Sequence, residues 1–403
     1  MADINIIRTS LSGVAEYLRG SGGIFIVYDR NVENHAGKVA AGFPCNSRIK
    51  GMLPIEATEE TKELATVLEI DRWLLNRNAD REALVLGIGG GIATDLVGFA
   101  ASIYKRGVRF AFLPTTLLAQ VDAAIGGKNG VNLDSFKNML GVVRQPEATF
   151  LCPEVLETLP FRQFFGGAAE MLKTFLIDDS GGNYEKAVAL LGNIHSSASP
   201  SLSAPSFSSV PVGALLTDAG TRSALGELIH AAARIKAGIA GRDPDEHGER
   251  RLLNLGHTFA HAIEHLAHSG RPVVRPASAE TDRDPGDALS HGEAVAVGIL
   301  LAARLADALK AGPDKALKPS APAPHLPSAD SALAPRLEAD WKATGLPTGC
   351  PYPLAALSEA MSKDKKASGS LIRFVLPLAI GRVGIRDLTP ADAIALLNPS
   401  EAL

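Results

Sequence analysis

The chain is poor in cysteine. Only Cys45, Cys152 and Cys350 occur among 403 residues, far apart and without CxxC spacing. This usage argues against a disulfide framework and against a zinc site made of thiolates, and it suits a reducing compartment. We therefore expect a cytoplasmic protein.

The chain also lacks a block of one charge and a long apolar run. Its 40 basic and 44 acidic residues are mixed, which gives a net charge of −4 and no footprint for nucleic acid or a membrane surface. The most apolar stretch, 294–309, is interrupted by Arg304 and Asp307. The start, MADINIIRTSLSG, has no basic segment followed by an apolar one, so no secretory signal is predicted. We expect a soluble protein without nucleic-acid or membrane partners.

The chain is long, and its hydrophobic pattern changes along the sequence. Because 403 residues exceed the usual size of one hydrophobic core, we expect two domains. In the first part, apolar runs typical of buried strands alternate with helical patterns, which predicts a parallel sheet covered by helices. The strand runs are 23–29, 83–91 and 108–117, and the helical patterns are 58–76 and 92–107. Later patterns are long and helical. We predict a Rossmann-like α/β domain at 1–158 and a mostly α-helical domain at 159–403.

Three Pro- or Ser-rich stretches interrupt the helical half, at 196–209, 269–290 and 318–335. Such composition buries too little apolar surface to offset its ordering entropy. We interpret all three as surface insertions.

A glycine-rich turn, GIGGGIATD at 87–95, follows a predicted strand and opens a predicted helix. Glycines let the backbone approach a pyrophosphate, and a helix N-terminus offers free N–H groups to it. The pattern is not the GxGxxG fingerprint. A nucleotide site and a plain tight turn both remain open on this evidence.

Lysines and polar residues are dense in the stretch 114–141, PTTLLAQVDAAIGGKNGVNLDSFKNMLG. Lys128 and Lys137 stand among glycine and apolar residues, a setting that favours contact with an anion over simple exposure. Arg106 lies just upstream. The cluster predicts a phosphate or carboxylate ligand.

Histidines recur at intervals of four in LNLGHTFAHAIEH, at His257, His261 and His265. On a helix such residues share one face, and two of them could bind one metal ion. The zinc-protease version of this spacing has Glu after the first His, whereas Thr258 stands here. That interpretation therefore fails, and the metal site needs another source of ligands.

Taken together, these motifs resemble the 3-dehydroquinate synthase family of the sugar-phosphate cyclases. The shared blocks occur in the family's order over roughly 23 to 385: GGGIATDLVGFAASIYKRGVRF, PTTLLAQVDAAIGGKNGVN, KNMLG, AAEMLK, RRLLNLGHTFAHAIE, SHGEAV and DKK...IRFVLPLAIG. Two features depart from the family: the Pro-rich insertions are longer, and Asn129 stands where Thr is common.

The resemblance implies the conversion of 3-deoxy-D-arabino-heptulosonate 7-phosphate into 3-dehydroquinate and phosphate. The steps are oxidation, β-elimination of phosphate, reduction, ring opening and intramolecular aldol closure. NAD⁺ is recycled, and Zn²⁺ or Co²⁺ is the metal. A homodimer is also implied, because Arg106 of one subunit would reach the substrate phosphate of the other.

The resemblance further implies roles for individual residues. The metal ligands would be Glu170, His257 and His291. Catalytic contacts would come from Asp122, Lys173 and His261. Substrate binding would involve Arg106, Lys128, Asn138, Lys236, Arg250, Asn254 and Lys365. The NAD pocket would comprise Asp29, Asn31, Glu59, Lys62, Gly90, Gly91, Asp95, Thr115, Thr116, Lys137 and Thr158. His265 receives no role.

Several rivals remain. Aminodehydroquinate synthase acts on a substrate that differs mainly by an amino group. The deoxy-inosose and valiolone synthases use sugars without a carboxylate and would have no use for Arg250 and Asn254. A metal-dependent polyol dehydrogenase would accumulate NADH, whereas a cyclase releases phosphate without a net change in NADH. A non-catalytic binding protein would be expected to have lost some of the acid, imidazole and lysine positions.

Overall fold

The structure is a computed structural model that describes residues 4–43, 48–134, 136–198, 211–216, 218–271, 273, 288–311, 332–364 and 371–398. The chain divides into two compact units, Met1–Phe164 with Pro211–Asp245, and Phe165–Val210 with Glu246–Leu403. The first unit therefore includes 211–245, which the sequence prediction placed in the second domain. One contact that joins this segment to the first unit is the ion pair between Lys236 and Asp122.

Ten strands and twelve α-helices lie in the described part of the chain. In chain order, the strands are β1 (Ile6–Arg8), β2 (Ile24–Asp29), β3 (Ile49–Ile55), β4 (Leu84–Gly89), β5 (Arg109–Pro114), β6 (Lys128–Leu133), β7 (Phe136–Val143), β8 (Thr149–Leu151), β9 (Ile372–Ala379) and β10 (Arg382–Leu388). The helices are α1 (Leu11–Tyr17), α2 (Glu33–Ala41), α3 (Leu64–Asn76), α4 (Gly91–Ile103), α5 (Phe161–Ile177), α6 (Asn183–Ala198), α7 (Ala219–Arg242), α8 (His257–His268), α9 (His291–Ala311), α10 (Leu333–Thr344), α11 (Leu354–Asp364) and α12 (Pro390–Leu397).

A six-stranded sheet forms the centre of the first unit, in the order β1-β8-β5-β4-β2-β3, with every neighbouring pair parallel. Strands β2 and β4 are almost wholly buried, as their continuous apolar sequences predict for a sheet covered on both faces. Phe25 and Val27 pack in a core with α3 and α4, whereas Ile24 and Ile26 pack with α1 and α2. The predicted Rossmann-like α/β architecture is confirmed.

Strand β2 lies where the order of the sheet reverses, with β3 on one side and β4 on the other. Ligands of open parallel sheets bind beyond the carboxyl ends of the strands at such a reversal. The fold therefore predicts a ligand site at the residues that follow β2 and β4.

A separate antiparallel pair, β6 and β7, was not predicted from the sequence. Asn129 fixes the start of this hairpin, because its buried side chain donates to the carbonyl oxygens of Gly127 and Arg144 at 2.8 and 2.9 Å. The departure from the family's usual Thr is thus a buried structural contact. Lys128 and Lys137 are exposed on this hairpin, where the sequence pattern had suggested a more enclosed setting.

The second unit is mostly helical, as predicted, and adds one antiparallel hairpin, β9–β10. Helices α8 and α9 pack together, and Trp341 of α10 donates to the Ala296 carbonyl of α9 at 3.0 Å. Most residues of the three predicted insertions lie outside the described residues. Among the helices that are described, none combines the length and apolarity needed to cross a bilayer.

Candidate metal centre and nucleotide-binding edge

Three potential metal ligands converge within the second unit. Glu170 lies on α5, His257 is the first residue of α8 and His291 is the first residue of α9. One ligand atom from each lies within 4.8 Å of the others. The Nε2 atoms of His257 and His291 are 3.7 and 3.5 Å from Glu170 Oε1. Residues from three separated segments are thus brought to one point, as the resemblance implied.

Close backbone contacts hold the three helices at this distance. A Cβ atom at Gly292, next to the α9 ligand, would overlap the carbonyl oxygen of Gly166, one turn before the α5 ligand. A Cβ at Gly298 of α9 would likewise overlap the carbonyl oxygen of Gly256. Gly256 precedes α8 with a φ of +79°, a conformation that glycine adopts at no steric cost. Glycine therefore sets the spacing of the ligands.

The Glu170 carboxylate is fully buried, and Lys173 Nζ lies 2.5 Å from its Oε2 atom. Burial alone would raise the pKa of this carboxyl, but the positive charge of Lys173 and then the two histidines hold it well below its usual value. Neither oxygen is matched by a well-directed hydrogen-bond donor among the described residues. A buried, ionised and incompletely satisfied carboxylate is a strong cation ligand.

The two imidazoles are electrostatically different. Burial, with Lys173 next in importance, lowers the pKa of His257 to about 3, so this ring is neutral. Burial also disfavours the charged form of His291, but contacts with Glu170 and Glu264 outweigh it and raise the pKa to about 10. A proton on His291 and a divalent cation are alternative ways to neutralise the same carboxylates. One carboxylate and two imidazoles whose Nε2 atoms lie near the same carboxylate oxygen fit Zn²⁺ or Co²⁺.

The other histidines of α8 are placed differently. His261 is exposed, and its ring lies edge-on to His257 at 5.6 Å between centroids. It is therefore close to the metal cluster without belonging to it. His265 is exposed on the helix surface, consistent with the absence of a predicted role.

The predicted nucleotide residues lie at the carboxyl edge of the sheet in the first unit. Asp29 ends β2, Gly90 and Gly91 follow β4, and Thr115 and Thr116 follow β5. Because these strands are adjacent and parallel, their ends lie side by side. A Cβ at Gly90 would stand 3.1 Å from the Thr116 methyl group, so the backbone approaches closely here. The N-terminus of the thirteen-residue helix α4 opens at the same edge.

Lys62 links the edge of the sheet to the β6–β7 hairpin. Its buried Nζ lies 2.6 Å from Asp95 Oδ2 and donates to Asn138 Oδ1 at 2.6 Å. Asn138 has a left-handed φ of +55°, and its N–H donates to Asn132 Oδ1 at 2.9 Å. Burial raises the pKa of Asp95 to about 6 although Lys62 and Lys236 lower it. The structure thus brings together Lys62 and Asp95, assigned to NAD, and Asn138, assigned to substrate.

Asp122 and Lys236 form a second close pair in this unit. Lys236 Nζ lies 2.6 Å from Asp122 Oδ1 and donates to the Asp122 carbonyl at 2.8 Å. The family resemblance implied a catalytic contact for Asp122 and substrate binding for Lys236. The pairing shows that one local network holds both side chains.

The remaining predicted residues are more dispersed. Arg106 is exposed in a left-handed backbone conformation. Thr158 contacts the ring of buried His35 at 3.0 Å. Several others contact neighbours at the surface or are buried: Asn31 donates from its backbone to Asp29, Glu59 accepts from Asn132, Asn254 donates to Glu246, and Arg250 is buried. Lys365 lies outside the described residues.

Sequence reasoning missed Glu264, whose Oε1 atom lies 3.4 Å from His291 Nδ1. Its signal was present, because Glu264 follows His257 by seven residues and therefore shares its face of α8. His35 was not predicted either, because its contact with Thr158 joins positions 123 residues apart and leaves no signal in the local sequence.

Comparison with known proteins agrees with this arrangement. A model described as 3-dehydroquinate synthase N-terminal matches residues 52–166, and one described as 3-dehydroquinate synthase C-terminal matches 167–367. The chain belongs to the 3-dehydroquinate synthase family. It is 32% identical to the 3-dehydroquinate synthase of a Picosynechococcus species, over 97% of this chain and 94% of that relative.

Other proteins in the comparison have names that specify a different product. The chain is 34% identical to the 2-epi-valiolone synthase of Actinosynnema mirum, over 94% of this chain and 86% of the relative. A solved 2-epi-5-epi-valiolone synthase from Streptomyces hygroscopicus, with NAD⁺ and Zn²⁺ bound, is 25% identical. It superposes with a TM-score of 0.72 over 99% of this chain and 97% of that one. Family membership therefore makes the chain a cyclase-type enzyme without fixing its substrate.

Proposed function

We propose that this protein is a 3-dehydroquinate synthase, a phosphate-eliminating lyase that depends on NAD⁺ and on Zn²⁺ or Co²⁺. Its substrate would be 3-deoxy-D-arabino-heptulosonate 7-phosphate. The observation that carries the proposal is the convergence of Glu170, His257 and His291, with ligand atoms within 4.8 Å of one another. The family membership and the relatives' names support the same conclusion.

The metal would be held by Glu170 and the Nε2 atoms of His257 and His291. When bound, a divalent cation acidifies and orients a hydroxyl group, and the dinucleotide accepts and returns a hydride. Lys173 keeps Glu170 ionised by its charge at 2.5 Å, and it would also orient a substrate hydroxyl. His257 is neutral at physiological pH because burial lowers its pKa, so its lone pair is available.

The dinucleotide would lie along the carboxyl edge of β2, β4 and β5. Gly90 and Gly91 would face its pyrophosphate, where the close backbone and the start of α4 supply N–H groups. Asp29 would accept hydrogen bonds from the adenosine ribose. Lys62 would hold Asp95 and Asn138 in fixed positions through its two contacts of 2.6 Å.

The substrate has an anionic group at each end. Its phosphate would bind Lys128, Asn138, His261 and Lys365, with Arg106 from the second subunit of a homodimer. Its carboxylate would bind Lys236, Arg250 and Asn254. Buried Arg250 supports a desolvated anion contact, since guanidinium matches carboxylate with two parallel hydrogen bonds.

A substrate comparison tests this proposal against the valiolone alternative. Purified protein with NAD⁺ and Zn²⁺ is incubated with the heptulosonate phosphate or with a seven-carbon ketose phosphate that lacks the carboxylate. We expect phosphate release and a cyclised product from the first only, without net NADH. Turnover of the second only would assign the valiolone-type reaction, and net NADH would indicate a dehydrogenase.

The Arg250→Gln variant refines the test. Loss of the charged contact should raise KM for the carboxylate substrate by about tenfold or more, with a smaller effect on kcat. An unchanged KM would place the carboxylate elsewhere. The matched control is Arg251→Gln at the neighbouring, half-buried position, whose side chain donates to the Glu246 carbonyl. This variant should keep the KM of the unaltered protein, and thermal unfolding of both variants measures any loss of stability.

A further inference from the structure

The two imidazoles of the metal cluster each present their second nitrogen to an oxygen atom. His257 Nδ1 lies 3.2 Å from the Leu255 carbonyl oxygen. His291 Nδ1 lies 3.4 Å from Glu264 Oε1. A carbonyl oxygen and an ionised carboxylate accept hydrogen bonds but cannot donate them. These contacts favour a proton on Nδ1 of both rings, and with a cation between the Nε2 atoms and Glu170 the Nε2 lone pairs are the ones left to bind it.

The acceptors of the two rings differ in kind. The partner of His257 belongs to the backbone just before α8 and cannot be removed by substitution. The partner of His291 is a side chain from another helix, 27 residues away. Glu264 is largely buried, with 14% of its side chain exposed, so its carboxylate is not simply a solvated surface charge.

Glu264 also differs from Glu170. Glu170 faces the Nε2 side of His291 at 3.5 Å, whereas Glu264 faces the Nδ1 side. The His291 ring thus lies between two carboxylates, one on each nitrogen. Only Glu170 belongs to the set whose ligand atoms lie within 4.8 Å of one another.

We propose that Glu264 is a positioning residue of the metal centre, which accepts a hydrogen bond from Nδ1–H of His291 and orients the Nε2 lone pair toward the cation site beside Glu170 and His257. This inference rests on the proposed metal-dependent function. Such a carboxylate–histidine–metal arrangement fixes the tautomer and orientation of the ring and raises its basicity as a ligand. Loss of such a partner typically weakens metal binding 10- to 100-fold.

The test measures Zn²⁺ affinity by competition with a chromophoric chelator, without using activity. Glu264→Ala should bind Zn²⁺ 10- to 100-fold more weakly than the unaltered protein. Glu264→Gln keeps the size of the side chain and an acceptor oxygen, and should show a smaller loss of about tenfold. The control is His265→Ala, an exposed residue on the same helix, which should bind Zn²⁺ normally.

A second measurement reports the tautomer directly. In ¹⁵N-histidine-labelled, zinc-loaded protein, long-range ¹H–¹⁵N spectra should show His291 protonated at Nδ1. Because Zn²⁺ occupies Nε2, the proton stays on Nδ1 in Glu264→Ala as well, but it loses its acceptor. The signal should therefore broaden or shift through faster exchange with water, and an unchanged signal would contradict the positioning role. If Glu264→Ala does not fold, the same two measurements on Glu264→Gln decide the matter.

Two failures can be told apart by adding His257→Ala. If His257→Ala retains stoichiometric Zn²⁺, the proposed metal site itself is wrong. If His257→Ala loses Zn²⁺ while both Glu264 variants keep unaltered affinity and the Nδ1 signal, the metal site stands and the positioning role is overturned.

Discussion

Three carboxyl groups in the described part of the chain are withdrawn from solvent but differ in their cationic neighbours. Glu170 has Lys173 at 2.5 Å, and its pKa is held well below the usual value against burial. Asp95 has Lys62 at 2.6 Å, yet burial still raises its pKa to about 6. Asp71 on α3 has only burial acting on it, and its pKa rises to about 7. At the scale of single residues, the pKa of a buried acid is set by the balance between burial and the positive charge around it, and Glu170 has two histidines beside it in addition to its lysine.

Asp71 gives a prediction about pH and stability. Its pKa is raised in the folded state, so the folded protein favours the neutral acid. The contribution to stability is fully present below about pH 4 and is lost as the pH rises through about 7. Asp71→Asn removes this loss. Because the side chain is only partly buried, we expect a gain in the free energy of unfolding of about 1 kcal/mol at pH 8.

Urea unfolding of both proteins at pH 4.5 and pH 8 measures the effect. The difference between Asp71→Asn and the unaltered protein should be larger at pH 8 than at pH 4.5. An equal difference at the two pH values would mean that Asp71 titrates normally in the folded state.

The sequence indicated residue roles only where a motif could be matched. The proposed metal ligands Glu170, His257 and His291 could be named because each stands in a block shared with the family. Lys173 was named as a catalytic contact, but its ion pair with Glu170 was not predicted, and Glu264 was not named although it shares a helix face with His257. The pairing of Lys62 with Asn138 spans 76 positions and leaves no trace in local spacing.

At the scale of helices and strands, the ligand geometry depends on contacts between backbones. Helices α5 and α9 approach so closely at Gly166 and Gly292 that a side chain at one of these positions would not fit between the helices. A Cβ at Gly292 would overlap a carbonyl oxygen, whereas a Cβ at Gly166 would meet the Ser290 hydroxyl at 3.5 Å, an ordinary contact. The two positions therefore form a matched pair within one helix contact.

We predict that Gly292→Ala forces α9 away from α5, lowering the free energy of unfolding by about 1–3 kcal/mol and weakening Zn²⁺ binding. Gly166→Ala should be neutral or stabilise the protein by up to about 1 kcal/mol, because alanine favours a helix interior. Chemical unfolding and zinc competition on both variants check this. Equal behaviour of the two variants would show that the contact does not set the ligand distance.

The elements themselves were predictable where burial is continuous. The apolar sequences of β2, β4 and β5 predicted buried parallel strands, and the structure confirms them. The helical pattern at 58–76 was too long at its start, because α3 begins at Leu64. Residues Thr58 and Thr61 instead form a turn through their hydroxyl groups. Exposed β7 lacks apolar continuity, and for that reason the β6–β7 hairpin escaped prediction.

At the scale of the whole molecule, the two proposed ligands belong to different units. The metal residues lie in the second unit and the nucleotide edge lies in the first. A ligand that binds the folded state lowers the population of locally open states in the unit that contains its site, and amide hydrogens there exchange more slowly. Hydrogen exchange can therefore assign each ligand separately.

We predict that Zn²⁺ protects amides of α8 and the start of α9, and that NAD⁺ protects amides at the β4–α4 turn. Exchange followed by mass spectrometry, with each ligand added alone, measures both effects. Removing Zn²⁺ with a chelator should restore exchange in the second unit. Protection of the β4–α4 turn by Zn²⁺ alone would contradict the assignment.

The division of the chain also bears on how it is made. The first unit closes only when 211–245 joins 1–164, and an excursion of the chain through 165–210 lies between them. During synthesis, the ion pair between Asp122 and Lys236 can therefore form only after residue 236 has left the ribosome. A gene fragment that stops at residue 164 would encode an unfinished fold, and exchanging either unit with that of a homologue requires three crossovers in the gene, after residues 164, 210 and 245.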